Sequence, residues 1–475
     1  MLNERAYRSN TNPHAPLSDP ELQKITDAIF QLLRETGVKF DPVPRVMDTL
    51  SDAGCEVSAQ AIVKFPTELV RSCMDSVARS ARVWNRPGND SIELSLPHAL
   101  FATNLSAPNV VDIDTGERRP CTSEDLAMIS RVADALPDID LLLVWLKASE
   151  IDRFAAIAGS STKPWEAVFE DPLALAAAIE MAAAIRGGLA QLKEKPYFIT
   201  AVSGMPLWYT KNDLEQLLMV VENGLPLAVG TATIGGANAP ITIAGNVVHC
   251  FASDLAGLVL SQLLNKGSFC MVGSTVGFMD PTTGNLGSLN EFTLAEMVKC
   301  QLGRHLGLPV SFANAGINAG KEFNQEAVLG ITVTMMASIF SQPTCSSYAG
   351  AVDALQAYSL HALLLCHELI GTARRMWKGV KVDEETLALD VTHKVGPGGD
   401  FLGEMHTAVH CRKEISPIKY FASRTFESWD QEGRKDLKDV IDRDLRNILA
   451  THKPEPLPAS VQEQMNAVLQ RYARV

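Results

Sequence analysis

This 475-residue chain shows no Ser–His–Asp arrangement and no obvious carboxylate pair. Proton-transfer hydrolysis therefore has no visible machinery. Its nine cysteines are odd in number and form no CxxC pair. They read as reduced, mostly buried thiols rather than a disulfide framework. No basic stripe offsets the net charge of −13, which argues against nucleic acid. The first 21 residues hold no apolar signal-like core. The longest apolar stretches are interrupted by Gly, Asp or His short of the roughly 18 residues of a membrane span. The expectation is a cytoplasmic globular protein with no nucleic-acid and no membrane partner. Aromatic residues are sparse, at 6% of the chain, so their placement carries information.

What is present is a repeating pattern. Ser18-Asp19-Pro20-Glu21 reads as a helix start and Gly37 as its end. Short elements up to residue 95 suggest an N-terminal α/β cap. Beyond it, strand-like runs alternate with helical stretches: LLLVWLKAS, KPWEAVF, PYFITAVSG, LPLAVGTATI, SFCMVGSTVGFM, PVSFANAGI and PTCSSYAG. Continuous apolar strands alternating with helices imply a parallel sheet wrapped by helices. Seven or eight such units, with no GxGxxG after the first strand, predict an α/β fold of the (β/α)8 TIM-barrel type. The expected division is a cap over 1–95, a barrel over 96–380 and a helical C-terminal extension over 381–475.

In such a barrel, chemistry sits at the C-terminal ends of the strands. Trp208, Tyr209, Phe278, Phe312 and Tyr348 fall at or near that mouth. Aromatic faces bind a quaternary ammonium through cation–π attraction without hydrogen bonds. The segment GGANAPITIAG, Gly235 to Gly245, follows an apolar run and opens a helix expected to begin near Ala239. Gly235 and Gly236 let backbone amides approach an anionic group, with Asn238 beside them. His406 and His410 share a helix spacing, but HTAVH lacks the Glu of HExxH, and no metal site is predicted. Gly396-Pro397-Gly398-Gly399 is followed by no Walker lysine and reads as a tight turn.

Several segments together resemble the trimethylamine methyltransferase family. They are GGANAPITIAG, DTGERRPCTSEDLAMISRVADALPDID, FMDPTTGNLGSLNE and VGPGGDFLGEMHTAVHCRKE. LLRETGVKFD and ILATHKPEPLP also fit. The resemblance implies a methyltransferase that moves a methyl group from an amine to the cobalt of a corrinoid. The chain carries no DxHxxG motif, so the cobalamin-type cofactor is expected on a separate corrinoid protein and none on this chain. In the family's trimethylamine enzymes, a strand-end segment corresponding to NAGINAGKEFNQEA holds pyrrolysine, which captures the amine. Here ordinary residues stand in its place, nearest Gly316, Ile317 and Asn318. That resembles the family members that act on glycine betaine.

A quaternary amine already carries its positive charge and leaves as a neutral tertiary amine, so it needs no capture. A small residue at this loop is also expected to leave room for a larger substrate. The implied catalytic positions are Gly316, Asn318 and Lys321. The implied substrate-binding positions are Trp208, Tyr209, Gly235, Gly236, Asn238, Phe312, Tyr348 and His406. Lys163, Lys321 and His406 are further candidates for a substrate carboxylate. Other readings are a barrel lyase with a Schiff base on Lys147 or Lys321, and a binding protein on the same scaffold without turnover. A homo-oligomer is expected.

Overall fold

The computed structural model describes residues 15–96, 99–287, 289–312, 315–415, 419–420 and 424–472. Its centre is a curled, mainly parallel sheet. In chain order its strands are β1 (Leu100–Leu105), β2 (Leu141–Leu146), β3 (Trp165–Phe169), β4 (Phe198–Gly204), β5 (Leu227–Gly235), β6 (Cys270–Val272), β7 (Thr275–Met279), β8 (Ser311–Phe312) and β9 (Cys345–Ala349). Each of β1 to β4 pairs in parallel with its successor, β5 pairs with both β6 and β7, and β9 joins β8 to β1. Between β6 and β8 there is a single parallel bridge, Val272 to Val310. There the Val272 amide donates to the Pro309 carbonyl at 3.0 Å. The predicted strands are present, and β1 is an addition to them.

The alternation of side chains along each strand divides the core in two. On β2, Leu142, Val144 and Leu146 face the helices, whereas Leu141 and Leu143 face the concave side. On β3, Trp165, Ala167 and Phe169 point outward and Val168 inward. Glu166 shares the inward parity. Toward the N-terminal ends, the concave side is filled by Leu100, Leu141, Ile199 and Met271. The hairpin Ser80–Trp84 and Ser91–Ser95 closes this end with Val83, Ile92 and Leu94. Further up, inward positions of β4 and β5 and the residue after β6 are small: Ala201, Ala228, Gly230, Ala232 and Gly273. They leave a cavity of about 240 Å³.

Outside the sheet, α1 (Asp19–Glu35) starts at the expected capping box, with the Ser18 amide donating to Glu21 at 2.9 Å. Helix α2 (Ile243–Leu264) begins four residues later than expected. The amides of Ala237, Asn238 and Ala239 all turn back to the Ile234 carbonyl, which postpones the helix. This helix is also long and apolar enough to cross a membrane, contrary to the sequence expectation. His249 and Asp254 do not break it, because a buried polar residue is tolerated wherever a partner exists. Here Asp254 accepts a hydrogen bond from the Ser274 hydroxyl. Of its most apolar 18-residue window, 78% is buried inside the protein, as in a core helix. Helices α3 (Leu289–His305), α4 (Gln325–Ser341) and α5 (Leu360–Trp377) complete the wrapping, and α6 (Met405–Glu414) belongs to the mainly helical C-terminal stretch.

Candidate active site

The cavity opens where the strands end at their carboxyl sides. Its wall is apolar and aromatic: Leu143, Trp145, Val168, Phe292, Tyr348 and Leu355. Into it β3 brings one carboxylate, Glu166, which is 7% exposed. The Ser347 hydroxyl donates to Glu166 Oε2 at 2.8 Å. Burial raises the Glu166 pKa above the usual carboxylate range, against the pull of its bonds to Ser347 and Cys345 and of the Lys299 charge. Among the described lining residues there is no Lys, Arg or His. Burial first, and the Glu166 charge second, also push the Tyr348 phenol upward, so it stays neutral.

One wall is held rigidly from behind. Ser274, between β6 and β7, accepts from the Thr231 amide at 2.8 Å and donates to Asp254. Lys299 of α3 donates to the Ser274 carbonyl and sits 2.7 Å from Glu296, both side chains fully buried. Burial is the strongest single influence and opposes the Lys299 charge, but the Glu296 carboxylate together with Cys250 and Cys300 raises the Lys299 pKa. Asp254 is pushed up to about 7, chiefly by burial. The opposite rim is strained. Tyr348 has φ of 85°, and Asp353, Ala354 and Leu355 are left-handed in succession at 52°, 48° and 74°. Non-glycine residues held there cost about 1–3 kcal/mol each and cluster at functional sites. The strained turn is tied down by Arg118, 2.7 Å from Asp353, and by Lys321. It presents Leu355 to the cavity.

The sequence model of the family described as Trimethylamine methyltransferase (MTTB) matches residues 2–474. The chain belongs to this family. It is similar to the trimethylamine methyltransferase MttB of Desulfitobacterium hafniense, with 26% identity covering 96% of this chain and 93% of the relative. It is also similar to a glycine betaine methyltransferase of Desulfitobacterium hafniense, with 25% identity covering 95% of this chain and 96% of that one. Among solved structures, MtmB in its hydroxylamine complex shares the fold, with a TM-score of 0.53 and 12% identity, covering 100% of this chain and 91% of that chain. The chain is therefore a methyltransferase of this family.

Of the expected site residues, Tyr348 lines the cavity. Phe312 ends β8, but its side chain lies outside the described residues. The others sit elsewhere. Trp208 donates its indole N–H to Asp41 at 2.9 Å, and Lys39 already covers its face at 4.1 Å. Tyr209 is buried, stacks on Phe40 at 5.2 Å and donates to the Ser253 carbonyl at 3.0 Å. Both serve the joint between the N-terminal strand Val38–Phe40 and the segment after β4. Phe278 packs against Gly235, where a Cβ would lie 2.6 Å from its ring.

The expected anion loop is occupied by its own turn. The Gly236 amide donates to the Ala239 carbonyl at 3.0 Å. The Asn238 side chain accepts from the Ile234 amide at 2.6 Å and donates to the Ala232 carbonyl at 3.1 Å. Lys163 lies before β3, at the opposite end of the sheet, with its ammonium on the Leu136 and Ile139 carbonyls. His406 lies on α6, its ring tilted against that of His410 at 4.4 Å and beside the Glu385 carbonyl.

The Gly316–Asn318 loop is filled rather than roomy. The Gly316 amide takes Thr334 Oγ1 at 3.1 Å, and a Cβ there would meet Cys366 Sγ at 3.0 Å. Asn318 is buried and donates to the Ala351 carbonyl at 2.8 Å. Lys147 pairs with Glu150 at 3.5 Å, and neither it nor Lys321 lines the cavity, which leaves the Schiff-base reading without a nucleophile. Sequence reasoning missed Glu166, Trp145 and the left-handed turn. The lone acid in KPWEAVF, two residues from inward Val168, was the signal for Glu166.

Proposed function

We propose that this chain takes a methyl group from a quaternary amine and passes it to a reduced corrinoid on a separate protein. The observation that carries the reading is the cavity's charge. One carboxylate faces aromatic and aliphatic walls with no acid–base partner, a fit for a cation that cannot donate hydrogen bonds. The packed Gly316–Asn318 loop supports it too, since no electrophilic side chain is placed to capture an amine lone pair. The protein's part is to hold the cation, aim one methyl outward and exclude water. The C–N bond breaks with its electron pair going to nitrogen, and a neutral tertiary amine is released. The corrinoid, as second substrate, supplies the attacking electron pair. Trp145, Met205, Ile241 and Leu286, all exposed near the strand ends, offer an apolar rim for such a partner.

The reading includes a closed (β/α)8 barrel, supported by the Val272–Val310 bridge across the remaining gap. It keeps the division into a cap over 1–95, a catalytic unit over 96–380 and an extension over 381–475, and a cytoplasmic location. It also includes a homo-oligomer. Val380, Val382, Leu402, Met405 and Ile415 are each at least 70% exposed. Helix α6 and the short helices Glu384–Leu387 and Leu389–Val395 bury no residue. So much apolar surface on one stretch fits a permanent interface better than a monomer's exterior. The test is amine consumption with reduced corrinoid present: quaternary amines should be demethylated, and binding without turnover would leave only a binding protein.

A further inference from the structure

The charges around the cavity narrow the class of quaternary amine. Resting on the function proposed above, we infer that the preferred cation carries no carboxylate beside its nitrogen and is a simple tetraalkylammonium ion.

The first ground is electrostatic. Glu166 is the only carboxylate among the described lining residues, and no basic side chain accompanies it. A betaine brings its own carboxylate into the same small, poorly hydrated space. Two like charges there repel strongly, and neither is neutralised by the protein. The side chains expected to receive a substrate carboxylate are engaged elsewhere, His406 lying on α6 beside the Glu385 carbonyl. The Gly236 amide and the Asn238 side chain close their own turn. Lys321 is held by Asp353. Lys163 lies at the far end of the sheet on backbone carbonyls. Lys299, nearest behind the wall, is matched by Glu296 at 2.7 Å.

The second ground is the lining of β5. Ala228, Gly230 and Ala232 face the cavity, while Thr231, of the opposite parity, turns its side chain toward the helices. These small residues offer a carboxylate no side-chain hydrogen bond, and a tetraalkylammonium needs none. It places its cation against Glu166 and Tyr348. Loss of one methyl breaks a C–N bond, leaves the electron pair on nitrogen and yields a neutral tertiary amine. The methyl goes to the reduced corrinoid, which supplies the new bond's electrons. The cavity of about 240 Å³ suits a cation of that size.

The test is calorimetric titration of the full chain, at a pH of about 8, with choline, tetramethylammonium and glycine betaine. Choline and tetramethylammonium should each bind at least tenfold tighter than glycine betaine. Glu166→Gln should shrink that preference, because the repulsion it removes acts only on the betaine. Glycine betaine binding as tightly as choline overturns the inference and leaves the quaternary-amine reading standing. A preference for choline over glycine betaine that stays the same as pH falls and Glu166 is protonated overturns it too, since the repulsion would then be absent. No binding of any of the three defeats the quaternary-amine reading itself, and the inference with it.

Discussion

Replacing Glu166 by glutamine removes the cavity's charge while keeping its shape. A carboxylate roughly 4 Å from an ammonium, at an effective dielectric of about 20, contributes about 4 kcal/mol. Part of that gain is spent ionising Glu166, whose pKa burial holds above the usual range. With about 1.4 kcal/mol per tenfold, Glu166→Gln should weaken tetramethylammonium binding by between tenfold and roughly a thousandfold. Wild-type affinity should climb with pH as Glu166 ionises, and the variant's should be flat. The fold should not suffer. A carboxyl whose pKa is raised on folding supplies stability below its unfolded value, about 4.3, that is lost as pH rises toward the folded value. The variant escapes that loss, so at a pH of about 8 it should melt no lower than wild type. Isothermal titration and thermal melts read both effects. A folded Glu166→Gln protein that binds within about threefold of wild type, with unchanged pH dependence, would refute the counter-ion role.

Other perturbations test the surrounding structure. Tyr348→Ala should cost roughly 0.5–2 kcal/mol of cation affinity, the span of cation–π contacts, read by titration beside a melt. Asp254 is raised to about 7 chiefly by burial, so its stabilising effect should fade between about pH 4 and pH 7, and Asp254→Asn should gain on wild type in melts across that window. Gly316→Ala adds a Cβ 3.0 Å from Cys366 Sγ at φ of 92°, and chemical denaturation should show a loss of about 1–3 kcal/mol. Leu402→Asp, on a residue 84% exposed, should turn the oligomer toward monomer in light scattering while the melt stays cooperative.

Much of the sheet was legible because its strands are apolar runs bounded by proline, glycine and small residues. β1 was not, since Thr103 and Asn104 interrupt its pattern. Both are buried against partners, Thr103 Oγ1 lying 2.5 Å from the Tyr358 hydroxyl and Asn104 accepting from the Ser106 amide. The site was less legible. Trp208 and Tyr209 follow a strand as mouth aromatics would, but Lys39, Phe40 and Asp41, far away in sequence, claim them. Asn238 resembles a ligand-binding amide and is consumed by its own turn. The left-handed stretch Asp353–Leu355 contains no glycine, so nothing local announces it; distant Arg118 and Lys321 fix it. Glu166 was legible in principle, because strand parity sets it inward with Val168.

The central claim, that a quaternary amine is the methyl donor, is tested most directly by a single-turnover assay with chemically reduced free cobalamin in place of the partner protein. Tetramethylammonium and trimethylamine are compared as donors, following loss of the reduced cobalamin absorbance and release of the demethylated amine. The account predicts that tetramethylammonium is demethylated and trimethylamine is left untouched. Trimethylamine consumed at an equal or greater rate would contradict it.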